Sequence, residues 1–194
     1  MSALRVKQII EKSVSVKQAI MQNDLLMDTI FQVSETITEA LRNDHHVWFC
    51  GNGGSAADAQ HIAAELSGRF YYDRPPLFAE ALHVNTSYLT AVANDYSYNE
   101  IYARLMRAKG RKGDVLVGIS TSGNSENVIR AMKVAKEKGL INVAWTGETG
   151  GKMKACADLL INVPSTDTPR IQESHIMIGH IICEIVEQNL FPKS

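Results

Sequence analysis

Asp114-Val115-Leu116-Val117-Gly118-Ile119-Ser120-Thr121-Ser122-Gly123-Asn124-Ser125-Glu126 decides how the chain is read. After Asp114 comes a short apolar run, too brief for a helix and rich in β-branched residues, the pattern of a strand covered on both faces. It stops at Ser120, and helical periodicity starts at Glu126 and lasts to Lys138. Between them lie Ser120, Thr121, Ser122 and Ser125 with one asparagine and one glycine. Capping the helix needs only one such residue. A helix start offers unpaired N–H groups and partial positive charge, and the hydroxyls add donors, so the stretch suits a phosphate. It carries no lysine, unlike a nucleotide P-loop. A cradle of hydroxyls alone fits a terminal phosphate monoester such as a sugar phosphate.

The same strand–loop–helix pattern recurs around it. His46–Cys50 reads as a buried strand, 52–55 as a Gly-rich turn and Ala56–Ser67 as a helix. Ala79–His83 is a short strand, with helices at Ser87–Ala93 and Asn99–Ala108; strands follow at Ile141–Trp145 and Leu159–Val163. A long last helix spans Ile171–Asn189. Buried strands alternating with helices predict an α/β fold, a doubly wound parallel sheet flanked by helices. Residues 45–194 form this core in a single domain spanning 1–194. Residues 1–44 carry two helices instead, broken near Gln22-Asn23-Asp24 with Asn23 or Asp24 as a cap. Their apolar stripe needs a surface, which packing between subunits supplies.

In such sheets ligands bind beyond the carboxyl ends of the strands. The first loop there, Cys50-Gly51-Asn52-Gly53-Gly54-Ser55, has three glycines where a plain turn needs one, and so suits close approach to a ligand. Ser55 is placed to cap the next helix. Ala56 stands where a dinucleotide fingerprint has its last glycine. Gly147–Lys152 has three residues between its outer glycines where a P-loop has four, and reads as an ordinary loop. His61 and Glu65 share a helix face at i,i+4, which serves a pocket or a plain surface contact equally. Gln172 and His180 stand eight apart on the last helix, ~12 Å along its axis. Either Gln172 lies in an irregular lead-in, or the two act in sites shared between subunits. His175 is out of phase with both and reads as structural.

Composition narrows the classes. Twenty Lys and Arg against 21 Asp and Glu, scattered along the chain, give no basic stripe for nucleic acid. No apolar run reaches the ~20 residues of a membrane helix, and no apolar signal region opens the sequence. Cys50, Cys156 and Cys183 lie in apolar runs without a Cys-x-x-Cys, as in a reduced cytoplasmic protein.

At these residues the chain resembles the bacterial phosphoheptose isomerases of the SIS family. The carriers are Cys-Gly-Asn-Gly-Gly-Ser at 50–55, His61-x-x-x-Glu65-Leu-x-Gly-Arg69, Gly-Ile-Ser-Thr-Ser-Gly-Asn-Ser at 118–125, and Arg-Ile-Gln-Glu-x-His at 170–175 with His180. The resemblance runs nearly end to end. It implies interconversion of sedoheptulose 7-phosphate and D-glycero-D-manno-heptose 7-phosphate through an enediol, at the start of nucleotide-activated heptose biosynthesis for surface polysaccharide. It implies Glu65 as base and His180 as acid. Ser120, Thr121, Ser122 and Ser125 would cradle the phosphate; Asn52, Gly53, Gly54, Ser55, Asn94, Asp95 and Gln172 would contact the substrate. It further implies one Zn²⁺ per subunit on His61, Glu65, Gln172 and His180, and a homotetramer with active sites between subunits. Pro169 departs from the pattern, since some members place an acid there; Asp167 is the nearest one. Two alternatives stand beside this reading: a non-catalytic SIS tetramer that binds the replication initiator protein, and an isomerase or binding module for another phosphosugar. Retention of both Glu65 and His180 favours the isomerase.

Overall fold

The computed structural model describes residues 3–193. The two helical runs expected in residues 1–44 become α1 (Ala3–Met21) and α2 (Asp24–Arg42), and the break falls as expected. Asn23 accepts the Leu26 N–H at 3.1 Å, satisfying one of the orphan donors of α2. The rest alternates as β1 (Val47–Gly51), α3 (Gly54–Ser67), β2 (Ala79–Ala81), α4 (Thr86–Asp95), α5 (Ile101–Lys109), β3 (Val115–Ile119), α6 (Glu126–Glu137), β4 (Ile141–Thr146), β5 (Leu159–Asn162) and α7 (Thr168–Leu190).

All the pairings are parallel, in the order β2-β1-β3-β4-β5. The pleat sends alternate side chains to opposite faces. Val47, Phe49, Val115, Val117, Val143 and Trp145 pack beneath α2, α3 and α7. Trp48, Cys50, Leu116 and Ala144 pack on the other side with α4, α5 and α6. All three cysteines are buried and unpaired, as expected. Strand order reverses between β1 and β3, and Gly51 lies in register with Ile119. Both unusual loops therefore leave the sheet side by side at the crevice where such folds bind ligands.

Much of the surface of α1 and α2 is apolar: Leu4, Val6, Ile9, Ile10, Val14, Leu25, Met27 and Phe31 are exposed. Only Ile20 of α1 is buried. Among the described residues no helix is long and apolar enough to cross a membrane.

His175 lies in the core, as its phase on the helix predicts. It is fully buried, its Nε2 is 3.1 Å from the Thr146 carbonyl, and its ring stands 6.1 Å from that of Trp145. Burial pushes its pKa down to about 4, against a weaker upward pull from the Thr146 carbonyl. The folded state keeps this imidazole neutral, so the unfolded chain binds more protons between pH ~6.5 and ~4. Stability is complete above that window and is lost as pH falls through it, on the order of 3 kcal/mol for this group. Thermal unfolding of the wild type should therefore weaken more steeply from pH 6.5 to 4.5 than that of His175→Gln. Equal slopes would show that His175 does not carry the effect.

Candidate active site

The crevice edge is built by α3 and α7, which lie side by side and run in the same direction. Space for this comes from small residues. A side chain on Gly179 would meet Ile62 and Trp145, and one on Gly54 would meet the Gln172 amide. His61 and Glu65 lie in the second half of α3, and His180 is in the middle of α7. His61 Nε2 stands 2.9 Å from His180 Nε2 and 3.1 Å from Glu65 Oε1. One ligand atom from each residue lies within 4.8 Å of the other two. Phe70 packs beside His180, ring centroids 5.7 Å apart.

The trio suits a small divalent ion. Two imidazole nitrogens and a carboxylate oxygen are a usual zinc donor set, and bonds of about 2.0–2.2 Å put tetrahedral ligands roughly 3.4 Å apart, close to the spacings here. Gln172 is not part of this cluster. It lies within α7, not in an irregular lead-in, because the helix already starts at Thr168 with Pro169 in its first turn. Its side chain meets Gly54, two turns before His61 on α3. The first of the two explanations for the Gln172–His180 spacing therefore fails.

Asp58 escaped the sequence reading. It sits one turn before His61, and its Oδ2 is buried without a hydrogen-bond partner among the described residues. Burial raises its pKa to about 6, against a smaller downward pull from His61. The i,i+3 spacing to His61 was visible in the sequence, but its burial was not.

At the end of β3, Ser120 Oγ lies 2.8 Å from Ser125 Oγ and 3.4 Å from Ser122 Oγ. Ser125 occupies the cap position of α6, yet its hydroxyl makes no capping bond. The hydroxyls are turned to one another at a helix start whose N–H groups are left for a ligand. Thr121 and Ser122 line a cleft of about 250 Å³, closed by Glu148, Thr149, Ser165, Thr166, Thr168 and Ile171. The stretch 147–152 is thus more than the ordinary loop its spacing suggests. Gly123, at φ 65°, and Gly151, at φ 51°, lie back to back, and a side chain on either would strike the other's backbone. Lys152 N–H also donates to Asn124 Oδ1 at 3.1 Å.

The first loop holds a second surprise. Asn52 and Asn127 exchange amide hydrogen bonds of 2.9 and 2.8 Å, and the Tyr98 hydroxyl donates to Asn52 Oδ1 at 3.1 Å. Asn52 thereby braces the two loops against each other. Gly53, at φ 55° with open space where a side chain would be, presents backbone to the crevice. Ser55 does not cap α3. Gly53 holds that position, and Ser55 is buried against Gly51. Asn94 and Asp95 lie exposed at the end of α4, joined by a 2.9 Å hydrogen bond.

The five-stranded parallel sheet, with a glycine-rich and a serine-rich loop side by side at its switch point, defines a doubly wound α/β domain with a ligand crevice between those loops. The sequence profile of the SIS domain matches residues 9–147. The chain belongs to the SIS domain family, among its phosphoheptose isomerases. It is 52% identical over 186 residues to the phosphoheptose isomerase of Aneurinibacillus thermoaerophilus, covering 96% of this chain and 94% of that one. The structure of phosphoheptose isomerase from Neisseria gonorrhoeae superposes with a TM-score of 0.89 at 45% identity, over 95% of this chain and 97% of the other. That of a phosphoheptose isomerase from Francisella tularensis gives 0.92 at 34% identity, over 97% and 100%.

Proposed function

We propose that the chain interconverts sedoheptulose 7-phosphate and D-glycero-D-manno-heptose 7-phosphate, the step that supplies an aldoheptose phosphate for nucleotide-activated heptose. The observation that carries the reading is the meeting of Glu65, His61 and His180 on the α3–α7 edge. Identity of about half the residues with named phosphoheptose isomerases over nearly the whole chain supports it.

Ketose-to-aldose isomerisation moves one proton from C1 to C2 and another between their oxygens, through an enediol. Glu65 is the base. Its Oε1 faces His61, and its second oxygen remains for the carbon-bound proton. His180 carries the proton at the substrate oxygens; its Nε2 faces His61, so Nδ1 is the nitrogen left for that proton when a metal takes Nε2. Ser120, Thr121, Ser122 and Ser125 hold the phosphate with the N–H groups of α6, while Gly53 and Gly54 let the sugar approach the backbone. Asn52, kept in place by Asn127 and Tyr98, sets the position of that loop. A zinc ion on His61, Glu65 and His180 would polarise the carbonyl and favour the enediolate.

Gln172 joins this ligand set only from outside the chain's own trio. Together with the exposed apolar face of α1 and α2, this supports a homotetramer whose sites are completed between subunits.

The test is aldoheptose phosphate formation from sedoheptulose 7-phosphate by the purified protein, as isolated, after chelation, and after Zn²⁺ is restored. Turnover that is lost on chelation and regained with Zn²⁺ is expected. A folded oligomer inactive in all three conditions would refute the isomerase reading, and chelator-resistant turnover would remove the metal.

A further inference from the structure

We propose that the buried Arg74–Glu187 ion pair is a positioning device that sets Glu65 against His180. The proposal rests on the proton-carrying roles given to those two residues above.

Both side chains are almost wholly inaccessible, 2% and 1% exposed, with Arg74 Nε 3.1 Å from Glu187 Oε1. Burying two charges is costly unless every group is satisfied. Here the satisfaction is directed at the two catalytic helices. The Arg74 guanidinium donates to the carbonyls of Glu65 at 2.8 Å, Leu66 at 2.7 Å and Gly68 at 3.1 Å. The Glu65 and Leu66 carbonyls lie in the last turn of α3 without a partner within the helix, and Gly68 is its C-cap. A cation there also complements the helix dipole. Glu187 stands seven residues after His180, two turns along the same side of α7. Its oxygens accept the N–H groups of Phe70 at 3.1 Å and Tyr71 at 2.8 Å.

The pair therefore grips the turn that carries Glu65 and ties it to the helix that carries His180. Through the Phe70 backbone it also holds the ring that packs on His180. None of its bonds reaches the phosphate cradle, which stands on β3 and α6. A loss at the pair should thus be felt in the proton-transfer step and spare phosphate binding.

Wild-type turnover of sedoheptulose 7-phosphate in saturating Zn²⁺ is the reference, and its absence would overturn the assigned activity itself. Arg74→Lys keeps the charge but loses the planar fork. It is expected to lower kcat by roughly 10- to 100-fold, since small misplacements of reacting groups have that effect. KM should change less than about twofold, as for an interaction felt only in the transition state. Glu187→Gln, which keeps shape, should show the same split and serves if Arg74→Lys does not fold. The double variant Arg74→Met/Glu187→Leu separates positioning from stability. Replacing a buried pair by apolar groups often preserves stability, but the Glu65 carbonyl then loses its Arg74 donor, and the Leu66 carbonyl keeps only the Leu77 N–H at 3.3 Å. A near-native melting temperature with kcat still depressed is expected. Wild-type kcat in folded Arg74→Lys or Glu187→Gln, or recovery of both melting temperature and kcat in the double variant, would overturn the positioning role.

Discussion

Glu65→Gln is expected to reduce kcat by roughly 10²–10⁴-fold, the usual worth of a positioned acid–base group. Glutamine preserves the volume and one carbonyl oxygen, so α3 should stay folded and the phosphate-dominated KM should move little. His180→Ala should cost as much, and the double variant little more than either, because groups that act as a unit are not additive. Steady-state kinetics on all three variants, with circular dichroism to confirm the fold, decide the matter. Either single variant retaining kcat within threefold of wild type would remove that residue from the proton path.

Gly123→Ala should be nearly as damaging, but in KM. Gly123 has φ 65°, a left-handed conformation that costs an L-residue roughly 1 kcal/mol or more. A methyl there also points at the backbone of Gly150 and Gly151. Backbone cannot step aside as a flexible side chain can, so the loop must open and pull Ser122 and Asn124 from their places. Loss of the phosphate cradle should raise KM at least tenfold while Glu65 and His180, on other elements, retain their chemistry. An unchanged KM, or a fall confined to kcat, would show that the cradle does not govern substrate affinity.

The sheet was legible because its strands are short apolar runs that end at glycine- or serine-rich loops. Helix starts were harder. Ser55 looked like a cap, but Gly53 takes that place because the loop turns with positive φ two residues earlier. Pro169 was read as a departure from a family pattern; in the fold it is a first-turn proline that lets α7 begin before Gln172.

The trio was legible in part. The i,i+4 spacing of His61 and Glu65 showed a shared face, but nothing local says which face of α7 meets it. That depends on the contacts of Gly54 and Gly179, which are tertiary. Asn127, Tyr98 and Asp58 were missed for the same reason: an amide on a helix gives no sign of the loop it braces until the strands bring them together. Glu148 and Thr149 sat in a segment set aside for failing a nucleotide motif, though the fold uses it to wall the cleft beside Thr121 and Ser122.

Gly179 also bears on which ions the edge could accept. It acts as a mechanical stop, letting α3 and α7 close until His61 and His180 face each other at 2.9 Å. A glycine inside a helix sacrifices roughly 0.5–1 kcal/mol relative to alanine, so closeness here comes at the expense of helical stability. For an ion bound there, the closeness would discriminate by size. An ion that wants six to eight oxygens at about 2.3–2.6 Å, as calcium does, meets two nitrogens and one carboxylate oxygen drawn too tightly to spread. A small ion content with nitrogen donors meets a gauge already set to its width.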